Sequence, residues 1–312
     1  MSTIKRKINN MLPDHIIYLY DIIKLLPKFC NAKWNDRKIN YPEISFYSDT
    51  ETVSKIINNR MSMSRFGDGE IRWMMGIHLD SFQECSERFS NDLKKAFQSK
   101  NQNLLIGIPF ALVDSSKCNL YSRLHWATIK TGFYKNLLAI ADLNKKYCNA
   151  SITRPYIDYR DYKYSTECFN NLKRIWNNRD VVFVEGEKTK LGMGNDLFDN
   201  AKSIKRIICP AKNAYERKED IKKSINKHVS KDTMIIGALG PTASILASEM
   251  TDLGYQFIDI GHVDIEYIWY KKHAFIREEI EGKFVNESRQ RNCTNIYDND
   301  PTYVKSIVDK II

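Results

Sequence analysis

Short apolar runs alternate with longer segments of helical periodicity from residue 50 onward, and this alternation constrains the fold more than any other feature. The clearest runs are NLLIGIP, DVVFVE, SIKRIIC and TMIIGA, at residues 103–109, 180–185, 203–209 and 233–238. Apolar runs of about four to eight residues without polar alternation are typical of strands buried on both faces. The sequence therefore predicts an α/β fold with a mostly parallel sheet and helices on both faces.

The same patterns predict the remaining elements. Further strands are expected at Met61–Phe66, Ala150–Thr153 and Gln256–Ile260. Helices are expected at Glu51–Arg60, Asp92–Lys100, Leu120–Ile140, Glu167–Trp176, Tyr215–His228 and Thr242–Leu253. The tail beyond Tyr267 is mixed and polar, and we expect it to be helical at its end.

Residues 1–49 differ from the rest and predict an N-terminal helical extension and linker in front of one domain at residues 50–312. Apolar side chains between Ile16 and Leu26 form a short helix candidate, which follows a basic cluster at residues 5–7. Two interpretations remain open. The helix packs on the body of the protein, or it lies as a basic amphipathic segment on an anionic membrane surface.

The charge balance points to an anionic partner. Lys and Arg number 48 against 38 Asp and Glu, which gives a formal net charge of +10. A phosphate-bearing substrate, nucleic acid and an acidic membrane face all satisfy this excess. The seven cysteines are scattered without a CxxC pair, so neither a disulfide framework nor a zinc site is indicated. No run approaches the roughly 18–20 uncharged apolar residues of a membrane span. We expect a cytoplasmic protein, with peripheral contact to the inner face of the cell membrane through the N-terminal segment as an alternative.

Five turns that follow predicted strands carry the functional candidates, because ligands of such sheets gather at the carboxyl ends of the strands. The first is SRFGDGE at residues 64–70. If the segment is extended, Asp68 and Glu70 point to the same side and offer hard oxygen ligands to Mg²⁺ or Mn²⁺. Gly67 would let a ligand approach the backbone, and Arg65 could hold a phosphate. The alternative is a solvated turn.

The second and third turns are rich in glycine, lysine and capping residues. Residues 184–197 (VEGEKTKLGMGNDL) resemble a phosphate-cradling loop in composition but lack the spacing of a P-loop. An ordinary loop with Asn195 or Asp196 as N-cap is the alternative. In the third turn, at residues 209–215, Asn213 suits either an N-cap or recognition of a base.

The fourth turn opens a helix at residues 237–244 (GALGPTAS). Gly240 and Thr242 flank Pro241 at its first turn. A helix N-terminus with exposed N–H groups is a ready site for an anion.

The fifth turn has the highest density of acid, base and ligand groups in the chain. In DIGHVDIEY at residues 259–267, His262, Asp264 and Glu266 alternate. In an extended segment all three would project one way. A structural histidine is the plainer alternative for His262.

Six segments taken together resemble the GT-D type glycosyltransferases, a family first catalogued as a bacterial domain of unknown function. The resemblance covers about residues 50–270. The segments are SRFGDGE at 64–70, TRPY at 153–156, VEGEKTKLGMGNDLF at 184–198, IKRIICPAKNAY at 204–215, ALGPTAS at 238–244 and DIGHVDIEY at 259–267.

The resemblance implies a metal-dependent hexosyltransferase with a Rossmann-like core. Its donor would be a nucleotide-sugar, with a UDP-sugar as the first expectation. The acceptor would be a growing bacterial surface glycan or a glycoprotein glycan, lipid-linked or protein-linked, and no nucleic acid is expected. The Asp-x-Glu motif, here Asp68 and Glu70, implies a site for Mn²⁺ or Mg²⁺, and His262 is a candidate third ligand.

Roles for the other residues follow from the same resemblance. The nucleotide-sugar candidates are Arg65, Gly67, Lys190, Asn195, Asn213, Gly240 and Thr242. Lys190 stands where the family leads us to expect an arginine, so it keeps the charge but lacks the bidentate fork. If the reaction inverts the anomeric centre, Asp264 is the first candidate for the general base and Glu266 the second.

Two other classes of function compete with this assignment. A non-catalytic basic module that binds nucleic acid or lipid agrees with the net charge, but Lys and Arg are interspersed with acids and no RNA-binding signature is present. A nicotinamide-dependent oxidoreductase is disfavoured because the chain lacks GxGxxG.

Overall fold

The computed structural model describes residues 13–36, 42–77, 83–288 and 294–312. Its eight strands form a single sheet in which all neighbours are parallel. The strands are β1 Ser62–Arg65, β2 Leu104–Ile108, β3 Cys148–Asn149, β4 Asp180–Gly186, β5 Ser203–Cys209, β6 Met234–Ala238, β7 Gln256–Asp259 and β8 Ile307–Lys310. Their order is β3-β2-β1-β7-β6-β4-β5-β8. The predicted α/β fold with a mostly parallel sheet is confirmed.

Helices cover both faces of this sheet. They are α1 Asp14–Asp36, α2 Asp49–Asn58, α3 Asp68–Met74, α4 Glu87–Phe97, α5 Leu120–Leu138, α6 Tyr162–Trp176, α7 Lys218–His228, α8 Pro241–Asp252, α9 Val263–Lys271 and α10 Pro301–Ser306. Alternate residues of one strand enter different apolar clusters: Val182 faces the cluster that contains α4, α5, α7 and α8. Phe183 faces the cluster that contains α2, α6 and α9. Because both faces are buried, the strands read as continuous apolar runs.

Two predicted elements near the edges of the sheet are wrong. Ala150–Thr153 is a short 3₁₀ turn and not a strand, and the strand is the preceding pair Cys148–Asn149. The Asn149 side chain accepts the Ser151 N–H at 3.0 Å and so caps the turn. The sequence predicts a helix at the end of the chain, but the helix α10 ends at Ser306. The strand β8 follows it and extends the sheet beside β5.

The N-terminal helix α1 packs on α5, as one of the two interpretations predicts. Ile17, Ile22 and Ala32 of α1 are buried. The basic cluster at residues 5–7 and part of the linker, residues 37–41, lie outside the described residues. Within the described ranges, we find no helix that is both long and apolar enough to span a bilayer.

The connections place a crevice at the carboxyl end of the sheet. The chain runs outward from β1 through β2 to β3, and then crosses to β4 and β5 on the other side. The inner strands β6 and β7 fill the middle afterwards. Ligands of open parallel sheets bind outside the carboxyl ends of the strands, at the point where the order reverses.

Candidate active site

Two pockets meet at this edge of the sheet and form one cleft. The polar pocket, about 400 Å³, lies against the ends of β1 and β7 and is lined by charged side chains. The apolar pocket, about 90 Å³, lies over the ends of β4, β5 and β6. Gly240, Gly261, His262 and Asn286 line both pockets, so the two are adjacent.

Asp68 and Glu70 both line the polar pocket, although not for the predicted reason. They occupy the first turn of helix α3 rather than an extended segment, so the period-two argument is wrong. Glu70 is the third helical residue and accepts the Gly67 N–H at 2.9 Å, which is half of a capping box. The carboxylates therefore reach one pocket from a helix start.

The electrostatics around these carboxylates leave room for a cation. Burial raises the pKa of Glu70 to about 7, and the negative charges of Asp259 and Asp68 add to the shift. The Asp68 side chain is 42% exposed, with Arg72 Nη2 at 4.0 Å. Two hard oxygen donors that line one pocket from the same helix start are a donor set that suits Mg²⁺ or Mn²⁺.

The predicted third metal ligand, His262, is not part of this set. Its Nδ1 lies 3.2 Å from Glu287 Oε1. Across the ranges that the structure describes, no group of three or more His, Cys, Asp or Glu side chains is placed to hold an ion. The chain would thus supply two carboxylates, Asp68 and Glu70.

Arg65 lines the polar pocket, but its guanidinium is occupied. It donates to Asp259 O and Oδ1, both at 2.9 Å, to Thr153 Oγ1 at 2.9 Å and to Ala150 O at 3.2 Å. Gly261 has φ +48°, and a Cβ there would lie 2.0 Å from Arg65 Nη2, so glycine is required for this approach. The guanidinium donors that were predicted to hold a phosphate therefore bond protein atoms instead. These bonds position β1 against β7.

The loop after β4 does not present its predicted residues to the cleft. Lys190 Nζ lies 2.6 Å from Asp298 Oδ1 and over the Tyr303 ring, outside both pockets. Asn195 Nδ2 donates to Asp264 Oδ1 at 2.8 Å. Neither Lys190 nor Asn195 lines either pocket, and both make contacts within the protein, so their predicted roles in donor binding stay predictions.

Asn213 likewise makes a contact within the protein. It has a left-handed backbone with φ 51° before a 3₁₀ turn, and its side chain does not cap that turn. Its Oδ1 accepts the Glu84 N–H at 2.9 Å. The residue is absent from the lining of both pockets.

Asp264 and Glu266 point away from each other, which the alternation argument did not predict. They lie on helix α9, where residues two apart differ by about 200° around the axis. Asp264 accepts from Gly192 N at 3.0 Å, from Asn195 and from the buried Lys283 ammonium. Although Asp264 borders the apolar pocket, its carboxylate is satisfied, which argues against the predicted general base.

Glu266 is fully buried and lines neither pocket. It accepts the Ile157 N–H at 2.9 Å and lies 3.4 Å from Arg154 Nε. Burial raises its pKa to about 7. A carboxyl group without access to the cleft cannot take a proton from a bound acceptor, so this second candidate for the base is also unsupported.

Gly240 is the residue of the fourth turn that reaches the cleft. It precedes α8 with φ 55°, a conformation that favours glycine, and lines both pockets. Thr242 is fully buried and lines neither, and its Oγ1 has no hydrogen-bond partner among the described residues. Of the two residues predicted to bind an anion at this helix N-terminus, only Gly240 therefore reaches the cleft.

Sequence reasoning missed a charged network in the polar pocket. Arg154 donates both Nη atoms to Glu287, at 2.6 and 2.7 Å. Arg277 bonds Asp158 at 2.8 Å and lies 3.0 Å from the same Glu287. The TRPY segment contains Arg154, but Arg277 and Glu287 lie in the polar tail, where no period marks them. The network holds Glu287 beside His262.

Comparison with known proteins agrees with the sequence resemblance. A family model described as the glycosyltransferase GT-D fold matches residues 63–288. The glycosyltransferase GlyD of Streptococcus pneumoniae serotype 4 (strain ATCC BAA-334 / TIGR4) is 34% identical over 266 residues, 84% of this chain and 32% of that protein. The probable glycosyl transferase Gly of Streptococcus gordonii is 33% identical over 248 residues, 78% of this chain and 36% of that protein. The chain thus spans about a third of the length of these curated relatives.

Two solved structures are matched over their whole length. One is the highly conserved domain of unknown function 1792, described as having a distinct glycosyltransferase fold. It matches with a TM-score of 0.80 and 32% identity, and the match covers 91% of this chain and 100% of the solved chain. A glycosyltransferase from Streptococcus sanguinis has a TM-score of 0.78 at 30% identity and covers 86% and 100%. The family match, these structures and the two-part cleft lead to one conclusion: the chain belongs to the glycosyltransferase GT-D fold family.

Proposed function

We propose that this chain transfers a hexose from a nucleotide-sugar donor to a hydroxyl group of a bacterial glycan, on a lipid or a protein carrier. The observation that carries the proposal is that the two pockets are adjacent and share Gly240 in their walls. An apolar pocket joined to a pocket with two carboxylates matches a donor that has a nucleoside at one end and a diphosphate and sugar at the other.

The donor would lie along the cleft. The nucleoside would lie against the apolar pocket, whose walls include Pro210, Leu239 and Phe284. The diphosphate would then reach the N-terminus of α8 at Gly240, where backbone N–H groups and the helix dipole favour an anion.

A divalent cation, Mn²⁺ or Mg²⁺, would be held by Asp68 and Glu70. When bound, such an ion stabilises the negative charge that develops on the departing nucleotide. Two protein carboxylates are a typical share for Mg²⁺, because substrate phosphates and water complete its coordination. The Gly67 N–H fixes the orientation of Glu70.

His262 is the best placed base among the predicted residues. It lies where the two pockets meet, its side chain is 37% exposed, and Glu287 lies beside its Nδ1. A carboxylate at one ring nitrogen orients the imidazole and leaves the other nitrogen to take the proton of an acceptor hydroxyl.

A panel of nucleotide sugars tests the proposed function. With Mn²⁺ present, we expect one donor to release its nucleotide, and a UDP-sugar is the first candidate. The nucleoside diphosphate of that donor should raise the melting temperature of the protein. His262→Gln should lower nucleotide release during transfer by about 10²-fold or more, while the shift in melting temperature remains. Stabilisation by RNA or anionic lipid, with no release from any donor, would favour the non-catalytic module instead.

The outer face of α1 supports a further part of the proposal, a peripheral contact with an anionic membrane. Leu19 and Ile23 are 55% and 54% exposed, and they share one stripe with other exposed apolar side chains. The members of this outer stripe are Ile16, Leu19, Tyr20, Ile23, Leu26 and Trp34. The exposed lysines Lys24 and Lys33 lie near its two edges at 100° per residue. This arrangement is typical of a helix that lies in a membrane interface.

Flotation with vesicles tests this contact. We expect the protein to float with vesicles rich in phosphatidylglycerol and much less with pure phosphatidylcholine vesicles. Leu19→Glu/Ile23→Glu should reduce flotation severalfold, because it places two charges in the apolar stripe. Leu143→Glu, at an exposed apolar residue outside α1, is the matched control and should change nothing. Equal flotation of all three proteins would exclude the contact.

A further inference from the structure

A third cavity opens beside the polar pocket, between α1 and the body of the protein. This side cavity has a volume of about 220 Å³. It shares Tyr121, Ser122, Arg277 and Glu287 with the polar pocket. A ligand that enters the side cavity therefore lies next to the polar pocket and borders Glu287, which contacts His262.

The walls of the side cavity combine aromatic rings with hydrogen-bonding groups. The Arg160 guanidinium lies 4.0 Å from the ring centre of Tyr18 and 4.3 Å from that of Phe275. The Tyr18 and Tyr121 ring centres are 6.3 Å apart. Arg160 Nε is buried and has no hydrogen-bond partner within the described ranges. A buried donor without a partner is costly, and a ligand oxygen would satisfy it.

The charges of the side cavity balance. Its lining holds two arginines, Arg160 and Arg277, and two acids, Asp21 and Glu287. No lining residue is shared with the apolar pocket, where the nucleoside of the donor is proposed to bind. The cavity therefore lies away from the proposed nucleoside site, on the side of the polar pocket, and its balanced charges suit a neutral, polyhydroxylated ligand.

We propose that the side cavity binds a sugar residue of the acceptor glycan. Aromatic rings offer a flat apolar face for the C–H groups of a sugar, and the polar side chains around them can bond its hydroxyls. This inference rests on the proposed function, since it places the acceptor next to the proposed donor site. Tyr18 belongs to α1, which lies outside the matched residues 63–288. The N-terminal helix thus contributes a wall that helps to select the acceptor.

Steady-state kinetics with p-nitrophenyl monosaccharides as acceptors test the side cavity. Tyr18→Ala should raise the acceptor KM about tenfold, since it removes one aromatic wall, while donor hydrolysis without acceptor stays unchanged. Tyr18→Phe keeps the ring and should restore most of the affinity. Tyr20→Ala, two residues away on the outer face of α1, is the matched control and should keep the KM of the unchanged protein. Melting temperatures check that each variant is folded.

Saturation-transfer NMR with the same glycosides, without donor, separates the two proposals. Binding that weakens in Tyr18→Ala supports the side cavity even if no donor is ever hydrolysed, a result that would defeat only the proposed function. Active transfer with an acceptor KM and an NMR signal that Tyr18→Ala leaves unchanged would overturn the side-cavity proposal. A parallel fall of donor hydrolysis and transfer in a folded Tyr18→Ala variant would overturn it as well.

Discussion

Replacing Asp68 by Asn is expected to lower metal-dependent nucleotide release by about 10² to 10³-fold, because it removes one of the two carboxylates proposed to hold the cation. The melting temperature should stay close to that of the unchanged protein. Asp68 is part-exposed, and its ion pair with Arg72 is long, at 4.0 Å, so the fold depends little on its charge.

The measurement is nucleotide release at increasing Mn²⁺ concentration, with calorimetric titration of Mn²⁺ into the protein. Asp199→Asn is a suitable control, since Asp199 is exposed and outside the cleft. Full activity of Asp68→Asn with Mn²⁺ would remove the basis for the metal assignment. Unchanged Mn²⁺ binding would do the same.

The largest loss of stability is expected from Lys283→Met. Lys283 is fully buried, and its ammonium bonds Asp264 and, at 2.8 Å, the Lys190 carbonyl. Methionine keeps the apolar contacts but leaves the Asp264 carboxylate buried without its cation. Removing one partner of a buried pair costs about 3–5 kcal/mol, so the free energy of unfolding should fall by this amount.

Urea unfolding of matched variants identifies the cause of this loss. Lys202→Met breaks the exposed ion pair of Lys202 with Asp180 and should change stability by about 0.5 kcal/mol or less. Adding Asp264→Asn to Lys283→Met removes the unpaired charge and should recover a large part of the loss. If the double variant is as unstable as the sum of the single ones, the buried charge is not the cause.

Much of the sheet could be predicted because its central strands are buried on both faces. The strand β5 has the predicted bounds Ser203–Cys209, and β4 extends the predicted run by one residue. The edge strands were less accessible to prediction. The strand β3 has two residues, and β8 is only half-buried, so neither shows a long apolar run.

The two carboxylate motifs were assigned to the correct edge of the sheet but to the wrong local structure. Both follow strands, so period-two alternation was extended past the strand ends. Gly67 and Gly261 end the extended backbone, and helices begin shortly after them. The Gly-x-x-Glu spacing of Gly67 and Glu70 is a capping signal, and it could have predicted the helix.

The charged network around Glu287 could not be predicted from one sequence. Arg154 and Glu287 are 133 positions apart, and only the packed sheet and helices bring them together. The local pattern around an isolated arginine or glutamate does not show which partner it meets. The composition shows the excess of positive charge. Only the folded structure shows that Arg154 and Arg277 lie against carboxylates, which neutralise their charges.

The pairing of β1 with β7 in the middle of the sheet has a consequence for how the protein folds. Ser62 Oγ donates to Tyr255 O across 193 positions of the chain, and Met63 pairs with Ile258. Contacts of such long range form late, because closing a long loop costs entropy before the contacts can stabilise it. The strand β4, in contrast, can pair early with β5, which is near it in the sequence. The crevice at β1 and β7 is therefore completed among the last steps of folding. Recovery of ligand binding during refolding should thus report the fully assembled protein and not a partly folded intermediate.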